Sequence, residues 1–209
     1  MKRVLIVGSG GHAKVAADIV LEMGYVVAGF LDDDPERKGA KVLGFPVHGE
    51  ISEWAQHEAD AVALGIGANT ARHRIMLDHP TIPWLTLIHP RSTVSRFAKI
   101  GEGSMLAFGS CVGPDAVIGR GVIINTCASV DHDCQVHDFA HVAVGATLAG
   151  KVTVEEGALI GAGCSTRPGV TIGAWSAVGA GAAIVRDIPP GVTAVGVPAR
   201  WPRDLYGYS

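Results

Sequence analysis

The stretch VDHDCQ-VHDFAH-VAVGAT-LAGKVT-VEEGAL-IGAGCS, residues 130–165, is a run of six hexapeptides laid end to end. Each opens on Val, Leu or Ile, and each carries a small residue (Cys, Ala or Val) at its fifth place. Extended in both directions the frame runs from Ile88 to Pro189 as seventeen hexads without a gap. Sixteen begin with Ile, Val or Leu, and Thr166 is the exception. A period of six fits neither the 3.6 of a helix nor the 2 of an isolated strand. Held for a hundred residues, it predicts a solenoid with one flat face per hexad and three faces per coil, a parallel β-helix. The aliphatic first residue then points inward and the small fifth residue fills the corner beside it. Equivalent positions recur every eighteen residues, and coils stack at about 4.8 Å, the ordinary strand spacing.

The first eighty or so residues follow a different rhythm. RVLIVG is a short β-branched run of the kind buried on both faces of a parallel sheet. Gly8-Ser9-Gly10-Gly11-His12 follows, then AKVAADIVLEMG, apolar at helical spacing until Gly24. YVVAGFLDDD reads as a second strand ending in acids, and ADAVALGIGAN as a third ending in glycines. This half is expected to be a small Rossmann-like α/β unit over residues 1–84, with the β-helix and a C-terminal tail over 85–209.

The 209 residues carry 28 glycines, only 6% aromatics and a net charge near −3, which suits a turn-rich fold and offers no basic patch for nucleic acid or an anionic membrane. The apolar start breaks at Gly8, so it reads as a strand rather than a signal peptide, and no apolar run reaches membrane-spanning length. The four cysteines form no CxxC pair. A cytoplasmic, reduced protein is the expectation.

Gly8, Gly10 and Ala13 satisfy a G-x-G-x-x-A pattern, and Asp32 lies about twenty residues on, as in dinucleotide sites. Only half of a dinucleotide fold precedes the hexads, so a mononucleotide half-site fits better than NAD; turn glycines without a ligand are the plainer alternative. In the segment SVDHDCQVHDFAH (129–141), neither His132 nor His141 occupies an inward hexad place. Zinc would need three protein ligands and an open position. His132 and His137 have a usable spacing, but the third place, two coils earlier, is Arg96. A general base explains His132 better. One coil above it stands Gly150, whose N–H is then unobstructed about one strand spacing from the imidazole, as acyl transfer requires. Cys134 falls at an inward fifth place and reads as core rather than nucleophile.

The hexads with AVGVPAR (194–200), GSGGHAKVAADI (8–19), LDDD (31–34), SVDHDC (129–134) and FAHVAVGATLAG (139–150) make the chain resemble, nearly end to end, a bacterial sugar acyltransferase family. That family comprises nucleotide-aminosugar N-acetyltransferases and sialic acid O-acetyltransferases. The resemblance implies a left-handed β-helix, acetyl-CoA as co-substrate, no metal, and a homotrimer with active sites between subunits. It implies His132 as base, Gly150 as oxyanion donor and Asp133 as the residue orienting the ring, though relatives often carry glutamate there. It implies nucleotide-sugar contacts at Gly10, Gly11, His12, Asp32, Asp33 and Gly67. His141, Ala162 and Ala180 would line the pantetheine tract, with glycine in some relatives where Ala180 stands. N-acetylation of a nucleotide-linked 4-amino-4,6-dideoxysugar, UDP favoured, is the expected activity. The alternatives are O-acetylation of a sialic acid or related sugar and, more remotely, a non-catalytic nucleotide-sugar scaffold.

Overall fold

The computed structural model describes residues 1–201; the last eight residues of the expected C-terminal tail lie outside the described residues. The amino-terminal half is a five-stranded sheet in the order β3-β4-β2-β1-β5, built from β1 (Arg3–Val7), β2 (Val26–Leu31), β3 (Lys41–Val42), β4 (Phe45–Gly49) and β5 (Ala61–Leu64). All neighbours are parallel except β3 and β4, a hairpin whose two loop residues, Leu43 and Gly44, both have positive φ. Strands β1 and β5 are buried along almost their whole length, as their unbroken apolar runs require. Helix α1 (Gly11–Glu22) joins β1 to β2, and α2 (Asn69–Asp78) follows β5. The order reverses between β1 and β5, so the crevice beyond their carboxyl ends is where an open α/β sheet takes a ligand.

From Leu87–Ile88 to Thr193–Ala194 the chain forms two-residue strands stacked in three parallel sheets of six, five and seven strands. Register is eighteen residues through the stack, as where Ser129 pairs with Cys111 below and Thr147 above, and only the last coil is shorter, Ala177 pairing with Thr193. First-place residues Val130, Val136, Val142, Leu148, Val154 and Ile160 are buried with fifth-place Ala116, Ala128, Cys134, Ala140, Ala146 and Val152 in one continuous core. Each fully buried aliphatic adds about 1.5–3 kcal/mol.

The fourth place of the hexad has its own rule. From Gly103 to Gly181 all fourteen fourth-place residues are left-handed, including Asp115, Cys127, Asp133, Phe139, Lys151 and Trp175. The left-handed residue turns the chain through each corner, which accounts for much of the glycine content.

Helix α2 joins the halves by gripping one corner. Arg72 donates from Nε to Gly121 O (2.8 Å) and from Nη2 to Phe139 O (2.7 Å), while Asn69 Nδ2 donates to Gly157 O (2.9 Å). Gly121, Phe139 and Gly157 are fourth-place residues of three successive coils. Positions 69 and 72 share a helix face, and three helical residues rise about 4.5 Å, close to the coil spacing of about 4.8 Å. The helix therefore reads three stacked carbonyls in register.

Candidate active site

His132 and Gly150 are third-place residues on one corner, one coil apart. A Cβ built on Gly150 would lie 2.5 Å from His132 Nε2, so the tip of the imidazole sits against the glycine and leaves no room for a side chain. His132 Nδ1 donates to Asp133 Oδ2 at 2.7 Å, which leaves the Nε2 lone pair facing Gly150. Asp133 reaches back to the ring because its backbone is left-handed (φ 60°). Both side chains are about half exposed, at 51% and 48%. The Asp133 hydrogen bond, helped by the charge of Asp131, holds the His132 pKa above the ordinary histidine value.

The backbone around the pair is selective. The His132 N–H is taken by Asp131 Oδ1 at 2.7 Å, and Pro114 and Pro168, one coil below His132 and one above Gly150, have no N–H at all. Among the described residues no acceptor takes the Gly150 N–H. On this corner a donor without a protein partner thus lies beside an oriented imidazole. Gly150→Ala is expected to lower turnover by about 10² to 10⁴, the usual contribution of a positioned general base, because the methyl must displace the imidazole while the backbone N–H remains. Steady-state kinetics with a melting curve as folding control checks it. Cys134 is fully buried, its thiol 3.1 Å from Ala149 O, and burial pushes its pKa up, so it is no nucleophile.

A second cluster lies at the crevice of the α/β half. Gly10 is the N-cap of helix α1 and has no side chain to cap it, leaving the first N–H groups of the helix without intrahelical partners. A Cβ at Gly10 or Gly11 would meet nothing within 4 Å, so these glycines border open space, the setting for a phosphate at a helix N-terminus. His12 packs on Gly67, where a Cβ would fall 2.6 Å from its Nδ1, and its buried Nε2 has no partner among the described residues. Asp32 accepts from the Ser9 hydroxyl and from Asp34 N–H, and Asp33 accepts from Ile51 N–H (2.9 Å), so both acids already brace the loops at the strand ends.

His141 joins this cluster rather than the first. It is 7% exposed, covered by the docked α/β half and not by the prism interior. Its ring meets His12 edge-on at 5.5 Å. Asn125 Oδ1 accepts from Thr126 N–H, which turns Nδ2 toward His141 Nε2 at 3.1 Å and fixes the ring with its proton on Nδ1. Burial first, then the Arg72 charge, pushes His141 down to about 3 and holds His12 below its usual value. With Gly67, Asn69, Leu159, Trp175 and Ala177, His141 lines a cavity of about 440 Å³ between the halves.

These rings fold in neutral and protonate when the chain unfolds. Between the unfolded value near 6.5 and about 3, the unfolded state binds the extra proton, so stability falls as pH falls through that window. One such proton is worth about 1.4 kcal/mol per pH unit. Melting temperature is expected to drop steadily below pH 6.5, with a shallower slope in His141→Gln; parallel slopes would refute the assignment.

Ala162 and Ala180 stack at the far edge of the face that His141 begins, both exposed and eighteen residues apart. Beside them Gly163 and Gly181 face open space, giving a shallow track of small residues along the axis. Among the described residues no group of three or more His, Cys, Asp or Glu could hold a metal, and no helix is long and apolar enough to cross a membrane. Sequence reasoning missed Arg72, 1% exposed, whose Nη1 also donates to Gly67 O at 2.7 Å. A basic residue within a weakly amphipathic helix was the only signal.

The description "PglD N-terminal domain" matches residues 3–78 as a family model. Over the whole fold the protein superposes on the acetyltransferase domain of PglB from Neisseria gonorrhoeae FA1090 with a TM-score of 0.88 and 35% identity, covering 96% of this chain and 100% of that one. The chain belongs to the bacterial sugar acyltransferase family. PerB from Caulobacter crescentus, solved in complex with CoA and GDP-perosamine, gives 0.89 and 38% identity over 96% of this chain and 97% of that one. The shared fold makes the solenoid a left-handed β-helix. The GDP-perosamine N-acetyltransferase of Escherichia coli O157:H7 is 36% identical over 145 residues, and the match spans 65% of its length, just under two thirds. The PglB domain has also been solved with acetyl coenzyme A.

Proposed function

We propose that the protein transfers an acetyl group from acetyl-CoA to the amino group of a nucleotide-linked 4-amino-4,6-dideoxysugar. The observation that carries the reading is the imidazole of His132, oriented by Asp133, lying against the partnerless N–H of Gly150. Acetyl-CoA supplies an already activated thioester, so no acyl-enzyme is required. Neutral His132 takes the proton from the attacking amine through Nε2, Asp133 stabilises the charged ring, and Gly150 N–H meets the oxyanion as it develops. The proton passes on to the departing CoA thiolate.

The acceptor is held through its nucleotide at Gly10, Gly11, His12 and Gly67, with Asp32 and Asp33 at the adjoining strand end. Relatives named for GDP-perosamine favour a GDP-linked sugar over the UDP-sugar expected from sequence. Within one chain the turn at His12 and the base at His132 occupy different corners, separated by the five-stranded face. A homotrimer with sites between subunits would bring one chain's base to its neighbour's nucleotide, with Ala162 and Ala180 along the CoA track.

Thiol release from acetyl-CoA is the direct test, against GDP-, UDP- and dTDP-linked 4-aminosugars with free sialic acid alongside. Release with one nucleotide aminosugar supports the reading and names the nucleotide. Release with sialic acid alone would replace it by O-acetylation, and silence throughout would reject it.

A further inference from the structure

Thr166 alone among the seventeen hexad openings is not aliphatic. On its face one ladder bond repeats coil after coil: Ser95 N–H to Val112 O, Gly113 to Val130 (2.8 Å), Asp131 to Leu148 (3.0 Å), and Arg167 to Ile184 (2.8 Å). The missing member of the series is Ala149. Its N–H goes to the hydroxyl Oγ1 of Thr166 at 2.9 Å, and regular pairing in that coil shrinks to Thr147 with Ser165. The same residue's carbonyl accepts the buried Cys134 thiol. In a trans peptide, C=O and N–H point in opposite directions. With the Ala149 carbonyl drawn inward, the next N–H, that of Gly150, is turned outward.

We propose that Thr166 is a positioning residue: its hydroxyl takes the Ala149 N–H and so fixes the Leu148–Ala149 peptide, and with it the direction in which the following Ala149–Gly150 peptide, held at its carbonyl by Cys134, presents the Gly150 N–H beside His132. The inference rests on the oxyanion role proposed for Gly150. Thr166 touches neither the imidazole nor the cavity of about 500 Å³ on this face, which Ala149 and Asp131 line. It acts through the backbone of Ala149 alone. The ladder break falls in the coil that carries the donor, and the side chain replacing the carbonyl there is the one polar residue in an aliphatic column.

Thr166→Val tests it, since valine is nearly the same shape and belongs to the residue type of that column. The variant should melt at or above the wild-type temperature, while kcat falls roughly tenfold, part of the 10²–10³ that losing an oxyanion donor costs. KM for both substrates should stay within about twofold, and the pH profile should not move, because the base is untouched. Thr166→Ser should restore kcat. The Gly150 amide resonance should shift in the valine variant and return in the serine one.

An active wild type with unchanged kcat in Thr166→Val would overturn this inference and leave the acetyltransferase reading standing. Rescue failing in a folded Thr166→Ser would overturn it too. A wild type silent across the whole acceptor panel would instead overturn the reading itself, and the inference with it.

Discussion

His132→Ala is expected to lower kcat by about 10² to 10⁴, the usual contribution of a positioned general base, while affinity for the nucleotide sugar stays the same. Affinity is spared because the nucleotide turn at Gly10–His12 lies on another corner, braced by contacts that do not involve His132. Single-turnover kinetics and acceptor titration separate the two terms. The pH profile adds a sign. The base works when neutral, and Asp133 and Asp131 raise its pKa, so activity should rise with pH through a midpoint above the ordinary histidine value. Asp133→Asn should lower that midpoint. Near-full turnover in His132→Ala would remove the residue from the chemistry.

Arg72→Leu is expected to cost about 3 kcal/mol or more, since several buried carbonyls lose charge-assisted hydrogen bonds worth about 1.5–3 kcal/mol each. Among the described residues no carboxylate pairs with this guanidinium; carbonyls of Gly67, Gly121, Phe139 and Ala140 surround it. Burial lowers its pKa to about 10, which still leaves it charged at neutrality. Leucine would strand those carbonyls without water, and lysine could not span them, because its ammonium lacks the planar fork. Denaturant unfolding of Arg72→Leu and Arg72→Lys should show both losses, the larger for leucine. A change under about 1 kcal/mol would mean that Arg72 does not hold the halves together.

The two predictions also mark what the sequence could tell. His132 over Gly150 follows from counting eighteen, because a solenoid converts sequence separation into stacking by simple arithmetic. The turn at Gly10–His12 is likewise local, a strand, a glycine run and a helix start. Arg72 has no such arithmetic. Its partners at Gly121 and Phe139 are 49 and 67 residues away, and nothing periodic connects α2 to that corner. The hairpin at Leu43–Gly44 was hidden for another reason: leucine is a poor advertisement for a left-handed turn. Fourth-place residues such as Asp133, Lys151 and Trp175 hide the same conformation where glycine would have announced it. The Thr166 irregularity was visible as a broken pattern, but its meaning needed the hydroxyl's partner.

The eighteen-residue coil also governs how this half can change length. A duplicated or lost coil returns every later residue to its own corner, displaced along the axis by one strand spacing, and leaves each face paired as before. Any other insertion within the faces rotates all later columns. Placed between His132 and Gly150, it would carry the donor away from the base; between Phe139 and Gly157, it would throw α2 out of step with its carbonyls. Homologues of different length should therefore differ in whole coils or in corner loops, with the number of coils free to drift at the ends and fixed through the middle.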